Sequence, residues 1–420
     1  MRLRMLVGVG AVVALVATAT MAGAATTLGG SRVSSPSATD WEYAPAVAWN
    51  QTDNQYLVVW EDNRNLDTRG YDIYGRRVGA DGKPIGREFR ISGPADTRSE
   101  GDPAVAWNAS ANEYLVVWWE YKVEGEYTYH YDTWGRRIAA DGTLLGKPFT
   151  ISTPGSHTEA ADVAYNTAST QYLVVWSDSR NWADSGDDIY GHRVRSDGML
   201  LGTDFQISSD TRSEEAPAVA YAATTNKFIV VWALWNYRAI LGQQVKASGA
   251  LAGGQVQISS PSAEEALSPD VDCARSVNKC LVVWHGSASG SDDYDIFGQR
   301  VRSDLAHAVK DLNIRRPAAA HDAYGAAVAW DQTAGRFLVV WNDNRTFTST
   351  GRDDIYGRRV PVTGAFTERD FLISPRNVVD YRGFPAVAAN TTADEYLVVW
   401  EDWRDFATRG SDLYDRRVAG

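Results

Sequence analysis

The stretch PAVAWNQTDNQYLVVWEDNRNLDTRGYDIYGRRVGADGKPIGREFRIS, residues 45–92, decides the fold because variants of it recur along the whole chain. Its Val-Val-Trp tripeptide recurs at spacings of 58, 58, 56, 52, 57 and 59 residues. The tripeptide ends at Trp60, Trp118, Trp176, Trp232, Trp284, Trp341 and Trp400. Each copy contains four short β-rich runs separated by turn-forming residues, which predicts four strands, named A to D in chain order.

Strand B, YLVVWED in the first copy, is apolar at consecutive positions, so both faces of each sheet must be covered. The short connections make each sheet antiparallel. Four-stranded sheets stacked face to face around an axis meet both conditions, and a period of about 57 residues suits one propeller blade. The sequence therefore predicts an all-β, seven-bladed propeller, with an open solenoid or a row of sandwiches as the alternatives.

The two ends of the chain favour a closed ring. The last copy stops after strand C at RRVAG, whereas the segment TTLGGSRVSSPSATD precedes the first strand A. That segment parallels ALAGGQVQISSPSAEEA at residues 250–266, which contains a strand D. We predict that the segment around Arg32 to Ser34 completes blade seven and leaves no exposed sheet edge.

The first residues have the features of a secretory signal. MRLRM is basic, LVGVGAVVALVATAT is apolar, and Ala22-Gly23-Ala24 fits a small-residue cleavage site. An uncleaved membrane anchor is the alternative, but the apolar run falls short of the ~20 residues that a span needs. We therefore expect residues 1–24 to be removed and residues 25–420 to form a single propeller domain, secreted outside the cell or into the envelope.

The charge of the chain restricts its partners. The formal net charge is -12, and removal of Arg2 and Arg4 with the signal makes it -14. An acidic surface repels nucleic acid phosphates and anionic lipid. We expect an extracellular glycan or protein as the partner, no nucleic acid, no membrane insertion after cleavage, and a monomer.

The chain has only two cysteines, Cys273 and Cys280. In the repeat alignment they occupy the positions of Trp49 and Tyr56, which flank the turn between strands A and B. Directly opposed residues in a hairpin interact as a pair, and a secreted protein can form and keep a disulfide. The sequence therefore predicts a structural disulfide in place of an aromatic pair in blade five.

Charged residues recur as Asp-x-Arg after strand B and as Asp-Ile-Tyr-Gly-x-Arg in strand C. In blade one these residues are Asp62, Arg64, Asp72 and Arg77, and blade four lacks all four. Charges that disappear together are expected to be partners, because one member of a buried pair left alone is costly. The alternative is a calcium site in the acidic loops, although no EF-hand spacing occurs. The candidate ligands are Asp62, Asp67, Asp187, Asp188, Asp292 and Asp293.

The loops between strands B and C and the crossings from strand D to the next strand A are predicted on one face, the loop-rich face. Five tryptophans outside the core positions fall there: Trp41, Trp119, Trp182, Trp235 and Trp403. Exposed aromatic residues suit sugar stacking or a protein interface, and sealing of blades against each other is the alternative. These five are the candidate ligand-binding residues.

Carboxylates and histidines are expected on the same face. The carboxylates predicted to ring the channel mouth are Glu42, Glu100, Glu159, Glu214, Glu265 and Asp322. Candidate catalytic groups for carbohydrate cleavage are His130, Tyr131, His157, Glu159 and His321. No nucleophile elbow, zinc-binding helix motif or phosphate loop occurs in the sequence, so whether the protein is an enzyme stays open.

The repeat resembles that of secreted bacterial β-propellers that carry VVWxDxR followed by DIYGxRV, and more distantly the repeat of the periplasmic Tol-system propeller. The resemblance covers nearly all of residues 25–420 and implies the propeller fold. It supplies no catalytic residues, and the sialidase signature Ser-x-Asp-x-Gly-x-Thr-Trp is absent.

Fold does not fix function, so three hypotheses stay open. The leading one is a secreted binding or adhesion module that recognises a glycan or a protein through its loop-rich face. The alternatives are an extracellular carbohydrate-active enzyme, either a polysaccharide lyase or a glycoside hydrolase, and a structural envelope component.

Overall fold

The computed structural model describes residues 27–35, 40–93, 98–123, 129–153, 157–208, 210–235, 238–261, 263–288, 293–307, 310–315, 321–346, 353–375, 381–404, 406 and 410–420. The predicted signal, residues 1–24, lies outside these ranges. No helix within them is long and apolar enough to cross a membrane.

The first four blades follow one another along the chain. Blade one consists of β1 (Glu42–Asn50), β2 (Gln55–Asp62), β3 (Asp72–Gly79) and β4 (Pro84–Arg90). Blade two consists of β5 (Ser99–Asn108), β6 (Glu113–Val123), β7 (Tyr129–Ala139) and β8 (Leu144–Thr150). Blade three consists of β9 (Thr158–Asn166), β10 (Gln171–Asp178), β11 (Asp188–Arg195) and β12 (Leu200–Gln206). Blade four consists of β13 (Glu214–Ala222), β14 (Lys227–Leu234), β15 (Ile240–Lys246) and β16 (Leu251–Gln257).

The remaining blades have shorter fourth strands. Blade five consists of β17 (Ala263–Cys273), β18 (Cys280–Ala288), β19 (Asp295–Val301) and β20 (Leu312–Asn313). Blade six consists of β21 (Ala323–Asp331), β22 (Arg336–Asp343), β23 (Asp354–Pro361) and β24 (Phe371–Leu372). Blade seven contains β25 (Arg382–Asn390), β26 (Glu395–Asp402) and β27 (Asp412–Ala419). Two one-turn helices, α1 (Leu66–Arg69) and α2 (Trp182–Ser185), lie in loops between strands B and C.

In blades one to six the antiparallel sheet has strands A, B, C and D in sequence order, and in blade seven strands A, B and C follow the same order. Strand A of every blade lines a central channel. The sevenfold ring of four-stranded blades confirms the predicted β-propeller. Because the strands alternate in direction, the loops between B and C and the crossings from D to A lie on one face. The turns between A and B and between C and D form the opposite face, called the turn face below.

The hydrophobic core is divided among the blade interfaces. The buried apolar side chains of the described residues form seven clusters, and each cluster joins two neighbouring blades. Strand B of blade one shows how, because Tyr56, Val58 and Trp60 pack against blade seven while Leu57 and Val59 pack against blade two. Both faces of the sheet are therefore buried, as the continuous apolar run predicts.

The N-terminal segment completes blade seven. Thr27 and Arg32 form antiparallel bridges with Val418 and Tyr414 of β27. The Val33 amide donates to the Leu413 carbonyl at 2.7 Å. Blade one shows the same bond in its strand D, where the Ile91 amide donates to the Ile73 carbonyl at 2.7 Å. The predicted closure of the ring by this segment is thus confirmed.

The disulfide between Cys273 and Cys280 is also confirmed. The two cysteines are opposed in the register of β17 and β18, with their Cα atoms 3.9 Å apart. In blade one the same register positions hold Trp49 and Tyr56, whose ring centroids are 4.7 Å apart. The disulfide therefore replaces an aromatic pair that closes the hairpin in other blades.

Part of the recurring charge pattern is scaffolding. Asp62 is fully buried and accepts hydrogen bonds from the Trp60 indole at 3.0 Å and from Nε of Arg64 at 2.8 Å. The Arg64 guanidinium lies over the Tyr74 ring, 4.1 Å from its centroid. Blades three, six and seven repeat the arrangement at Asp178, Asp343 and Asp402. The pair ties strand B to strand C at the loop-rich end of the blade.

The expectation that all four charges of a blade are mutual partners is wrong for strand C. Asp72 accepts a hydrogen bond from Nη1 of Arg90 at 3.1 Å, not from Arg77. Arg77 donates instead to Oε1 of Gln55 at 3.3 Å, near the turn face. Five residues along an extended strand separate the two side chains too far for contact.

Blade four lacks the recurring aspartate and arginine residues, and the indole of its strand B tryptophan has a different hydrogen-bond acceptor. Leu234 stands where Asp62 stands in blade one, so the indole of Trp232 loses that acceptor. It donates instead to Oε1 of Glu214 at 3.0 Å, from strand A of the same blade. The loss of a carboxylate at one end of the hairpin is thus compensated by a carboxylate on the paired strand.

Deletion of residues 25–35 should destabilise the ring markedly. The variant exposes the edge of β27 and removes Val33, which is fully buried, from the interface between blades seven and one. We expect a lower melting temperature and concentration-dependent association in thermal unfolding and light scattering. An unchanged melting temperature would contradict closure by this segment.

Replacement of both Cys273 and Cys280 by Ser should lower the free energy of unfolding by about 2 to 3 kcal/mol, the chain-entropy value for a short loop. The double variant Cys273→Trp/Cys280→Tyr is the matched control, since it installs the pair of blade one. We expect chemical denaturation to show that the aromatic pair recovers part of the loss. Equal stability of the Ser variant and the native protein would refute the structural role.

Candidate functional site

A bulge in strand A shapes the channel mouth on the loop-rich face. In blade one the pairing register shifts between Tyr43 and Ala46, and Ala44 between them has φ 44°. The same position has a φ between 44° and 60° in all seven blades. It is held by Ala44, Asp102, Ala160, Ala216, Ser268, Gly325 and Phe384. Such left-handed backbone is strained for residues other than glycine, and bulges commonly redirect side chains beside functional sites.

The bulge overturns part of the predicted carboxylate ring. Glu42, Glu100 and Glu214 lie two residues before the bulge and are buried rather than displayed at the mouth. Glu42, for example, accepts a hydrogen bond from the Leu413 amide of blade seven at 3.1 Å. Glu159 lies one residue before the bulge and is exposed. Side chains on successive residues point to opposite sides, so this one-residue offset decides burial.

Three aromatic rings form a cluster at the junction of blades seven and one, called the aromatic shelf. The rings of Trp403 and Phe406 are stacked at 4.5 Å with an interplanar angle of 9°. Trp41, from the other end of the described chain, lies 5.5 Å from Phe406 and 6.4 Å from Trp403. Trp41 is 37% exposed and Phe406 is 40% exposed, so the shelf presents ring surface to solvent.

Further aromatic residues extend the shelf toward the channel. Tyr43 packs edge-on against Trp41 at 5.9 Å, and Tyr381 packs against Trp403 at 5.3 Å. Phe384 occupies the bulge of blade seven and is 57% exposed. A phenyl ring held in left-handed backbone and in solvent has no role in the core, which marks it as a candidate contact residue.

Two carboxylates lie beside the shelf. Glu401 is fully buried and its Oε1 accepts a hydrogen bond from the Trp403 indole, whereas its Oε2 has no hydrogen-bond partner among the described residues. Burial raises the pKa of Glu401 to about 7, and the nearby charge of Glu61 contributes. Burial, reinforced by Asp102, likewise raises the pKa of Glu61 to about 7. Both carboxylates would gain from a hydrogen-bond donor or a cation.

Glycines allow the aromatic rings to come this close. A Cβ atom on Gly410 would lie 2.3 Å from Cδ1 of Trp41, and one on Gly383 would lie 2.4 Å from the Tyr381 hydroxyl. Gly383 is paired with Glu401 across strands A and B. The absence of a side chain at these two positions is therefore what lets the rings of Trp41 and Tyr381 take their places.

The other candidate tryptophans are not part of the shelf. Trp119 donates its indole hydrogen to Oδ2 of Asp102 at 2.9 Å and packs against Tyr131 at 5.7 Å. Trp182 in α2 is 62% exposed and makes no ring contact with a described residue, and Trp235 is 45% exposed. Of the five tryptophans, the structure brings together only Trp41 and Trp403.

The candidate catalytic residues divide into two places. His130 and His157 lie with ring centroids 5.7 Å apart, and Tyr131 lies 6.1 Å from His157, between blades two and three. Glu159 is two residues beyond His157 in β9. His321 lies in the crossing before blade six, where its carbonyl accepts a hydrogen bond from Arg315 at 2.7 Å. His321 is thus separated from the other candidates by the intervening blades.

The calcium candidates are largely engaged by other groups. Asp62 is held by Arg64, and Asp188 accepts hydrogen bonds from Asn181 and Ser185, both at 3.0 Å. Asp187 accepts a hydrogen bond from the Ser213 hydroxyl at 2.9 Å. Asp67 is exposed in α1, Asp293 is half-buried, and Asp292 lies outside the described residues. In the described part of the chain, no three His, Cys, Asp or Glu residues group as metal ligands.

The central channel contains a cavity toward its other end. A cavity of about 430 Å³ lies toward the turn face and is lined by the valine and alanine side chains of the seven A strands, together with aromatic and charged residues such as Trp49, Tyr165 and Asp272. Ligand sites normally combine apolar surface with a few convergent polar groups. The aromatic shelf with Glu61 and Glu401 has that combination, so we take it as the candidate site.

Comparisons with known proteins support the fold. No family model and no curated protein matches the chain. A protein of unknown function from Dyadobacter fermentans DSM 18053 is similar, with a TM-score of 0.56 and 8% identity over 94% of this chain and 99% of that one. So is the Cps50 (Swd1) β-propeller domain of Myceliophteria thermophila, with a TM-score of 0.52 and 10% identity over 92% and 98%. At these identities the similarity shows the fold alone.

Substitution of Glu401 by Gln should change the pH dependence of stability. A folded-state pKa of about 7, above the ordinary 4.5, means that protonation stabilises the fold; the contribution is full below pH 4.5 and is lost as pH rises through 7. Glu401→Gln should match the native protein near pH 4.5. At pH 8 we expect it to be more stable, by as much as ~3 kcal/mol.

Denaturant unfolding at pH 4.5 and pH 8 measures the difference. Asp184→Asn in α2 removes the same charge from an exposed position and is the control, expected to show no such pH dependence. Parallel pH profiles for the native protein and Glu401→Gln would show that Glu401 does not titrate in this way.

Proposed function

We propose that the protein is a secreted binding module that holds a glycan on its aromatic shelf. The observation that carries the proposal is the exposed ring surface of Trp41 and Phe406, which pack against the half-buried Trp403 beside the carboxylates Glu61 and Glu401. Flat aromatic surface provides apolar contact for the C–H faces of a sugar ring. The partly exposed carboxylate of Glu61 supplies an acceptor for a hydroxyl group of the sugar, and hydrogen bonds to charged acceptors are the stronger ones.

The charge of the site narrows the ligand class. The charge of Glu61 contributes to the raised pKa of Glu401, and the chain carries a net charge of -12. A uronic or sulfated sugar would meet like charge at the channel mouth, which disfavours binding. The proposed ligand is therefore a neutral or amine-bearing saccharide.

Cleavage of the glycan is the second candidate function. Glu61 and Glu401 have pKa values raised to about 7, and a carboxyl group with such a pKa can act as a general acid. Glycoside hydrolysis needs a second carboxylate that stays ionised across the scissile bond, and the raised pKa of both groups provides no such division. Binding without cleavage is therefore the stronger proposal.

Trp41→Ala and Trp403→Ala should each weaken glycan binding at least about tenfold, or ~1.4 kcal/mol, because each removes one stacking surface. The measurement is affinity electrophoresis and calorimetry with a panel of soluble neutral and amine-bearing polysaccharides. Released reducing and unsaturated ends are recorded in the same samples, with and without calcium.

Trp182→Ala is the matched control, since Trp182 is on the same face and is more exposed than either shelf tryptophan. It should bind as the native protein does. Equal loss in all three variants would move the site away from the shelf. New ends abolished by Glu61→Gln or Glu401→Gln would make the protein an enzyme, and no retention of any polysaccharide would turn the search to protein partners.

A further inference from the structure

A second cavity, of about 450 Å³, lies at the turn face between blades five and six. Its charged lining groups are all basic, in a chain whose net charge is -12. The basic residues come from blade five and are Lys279, Arg300, Arg302, His307 and Lys310. The cavity is on the opposite face from the aromatic shelf, so it is independent of the proposed glycan site.

The other blades provide an internal reference for Arg300. Arg300 of β19 is paired with Leu281 in the register of blade five. The corresponding arginine in blade two, Arg137, forms a salt bridge of 2.6 Å with Glu113 at the start of strand B. In blade seven Arg417 forms one of 3.0 Å with Glu395 at the same position. In both blades the arginine is neutralised within its own sheet.

Blade five has Lys279 at the position of Glu113 and Glu395. Two cations therefore occupy the places where blades two and seven have an ion pair. Blade six also has two cations there, Arg336 and Arg359, but Glu368 bridges both at 3.1 and 2.8 Å. Lys279 and Arg300 form no salt bridge with any residue that the structure describes. The charge of blade five is thus uncompensated at this place.

The Arg300 guanidinium is fixed by one hydrogen bond, and another of its N–H groups has no acceptor among the described residues. Its Nε donates to the Pro361 carbonyl of blade six at 2.9 Å, which fixes its plane. Its Nη2 is buried and donates to no described residue. Burial also lowers the pKa of Arg300 from its ordinary value, since desolvation disfavours the charged form. A guanidinium charge without a carboxylate partner is costly to keep half-buried, and an anion in the cavity would relieve that cost.

The acidic residues nearest the cavity have other partners. Asp304 forms a salt bridge of 3.0 Å with Arg302. Asp311 accepts hydrogen bonds from the Ser260 amide at 3.0 and 2.9 Å. Neither carboxylate reaches Arg300 or Lys279, so the positive potential between them persists.

We propose that this cavity binds a tetrahedral oxyanion, the phosphate or sulfate group of a small organic ester, between Lys279, Arg300 and Lys310. A planar guanidinium with a fixed plane and free donors matches an oxyanion edge, and ammonium groups add point charges. A volume of about 450 Å³ exceeds a single inorganic ion and lies in the range of small-molecule sites. Leu312 and Val362 provide apolar wall for the group that carries the anion.

Lys279→Glu is the decisive variant because it restores the residue that blades two and seven carry. It should form the ion pair with Arg300, keep or raise the melting temperature, and weaken phosphate binding at least about tenfold through charge reversal. Calorimetry with inorganic phosphate, inorganic sulfate and glucose 6-phosphate at constant ionic strength measures the affinity. Tighter binding of the ester than of inorganic phosphate would show that the cavity holds the carrier group as well.

Lys147→Glu, an equal charge reversal at an exposed position of β8, is the control and should bind phosphate as the native protein does. Arg300→Gln should also lose binding, and it decides the matter if Lys279→Glu does not fold. The proposal is overturned if the native protein shows no saturable binding of any of the three probes. It is equally overturned if Lys279→Glu and Arg300→Gln bind as tightly as Lys147→Glu.

Discussion

Burial of strand B on both faces is the constraint from which the rest of the structure follows. Trp60 and its six equivalents are at most 1% exposed, and each lies in an interface with a neighbouring blade. A four-stranded antiparallel sheet cannot cover both of its own faces, so each blade needs two neighbours. Only a ring gives every blade two, which is why the N-terminal segment must return to β27. The channel and the two faces of the molecule are consequences of that closure.

Because the seven blades have the same architecture, a residue that differs from its equivalents in the other blades can be tested for a functional rather than a structural role. The Asp62 and Arg64 pair recurs in four blades with the same contacts and needs only a structural explanation. Glu214 in blade four and the disulfide in blade five repair what those blades lost. Phe384 and Lys279 compensate for no lost contact. Phe384 exposes a phenyl ring to solvent, and Lys279 adds a second cation near Arg300. Such unrepaired departures are where a repeat protein gains a site.

The two proposed sites differ in chemistry and lie on opposite faces. The loop-rich face places aromatic rings beside Glu61 and Glu401, whose pKa values are raised, and the turn face places a guanidinium beside ammonium groups that form no salt bridge with a described residue. At each site, a ligand of complementary chemistry would supply partners that the protein itself does not provide.

The sequence alone determined the number of blades, the closure of the ring and the pairing of Cys273 with Cys280. These features depend on the period of the repeat and on opposed positions in a hairpin, and both can be read directly from the spacing of residues in the sequence. The sequence also predicted that Trp41 and Trp403 lie on one face. It did not predict their contact, because they belong to opposite ends of the chain and only the closure of the ring brings them together. The bulge in strand A buried Glu42, Glu100 and Glu214, which were expected at the mouth, and left Glu61 and Glu401 beside the shelf. The unpaired donor of Arg300 likewise emerged only from the tertiary structure, since burial and hydrogen bonding depend on the neighbouring blade rather than on the spacing of residues.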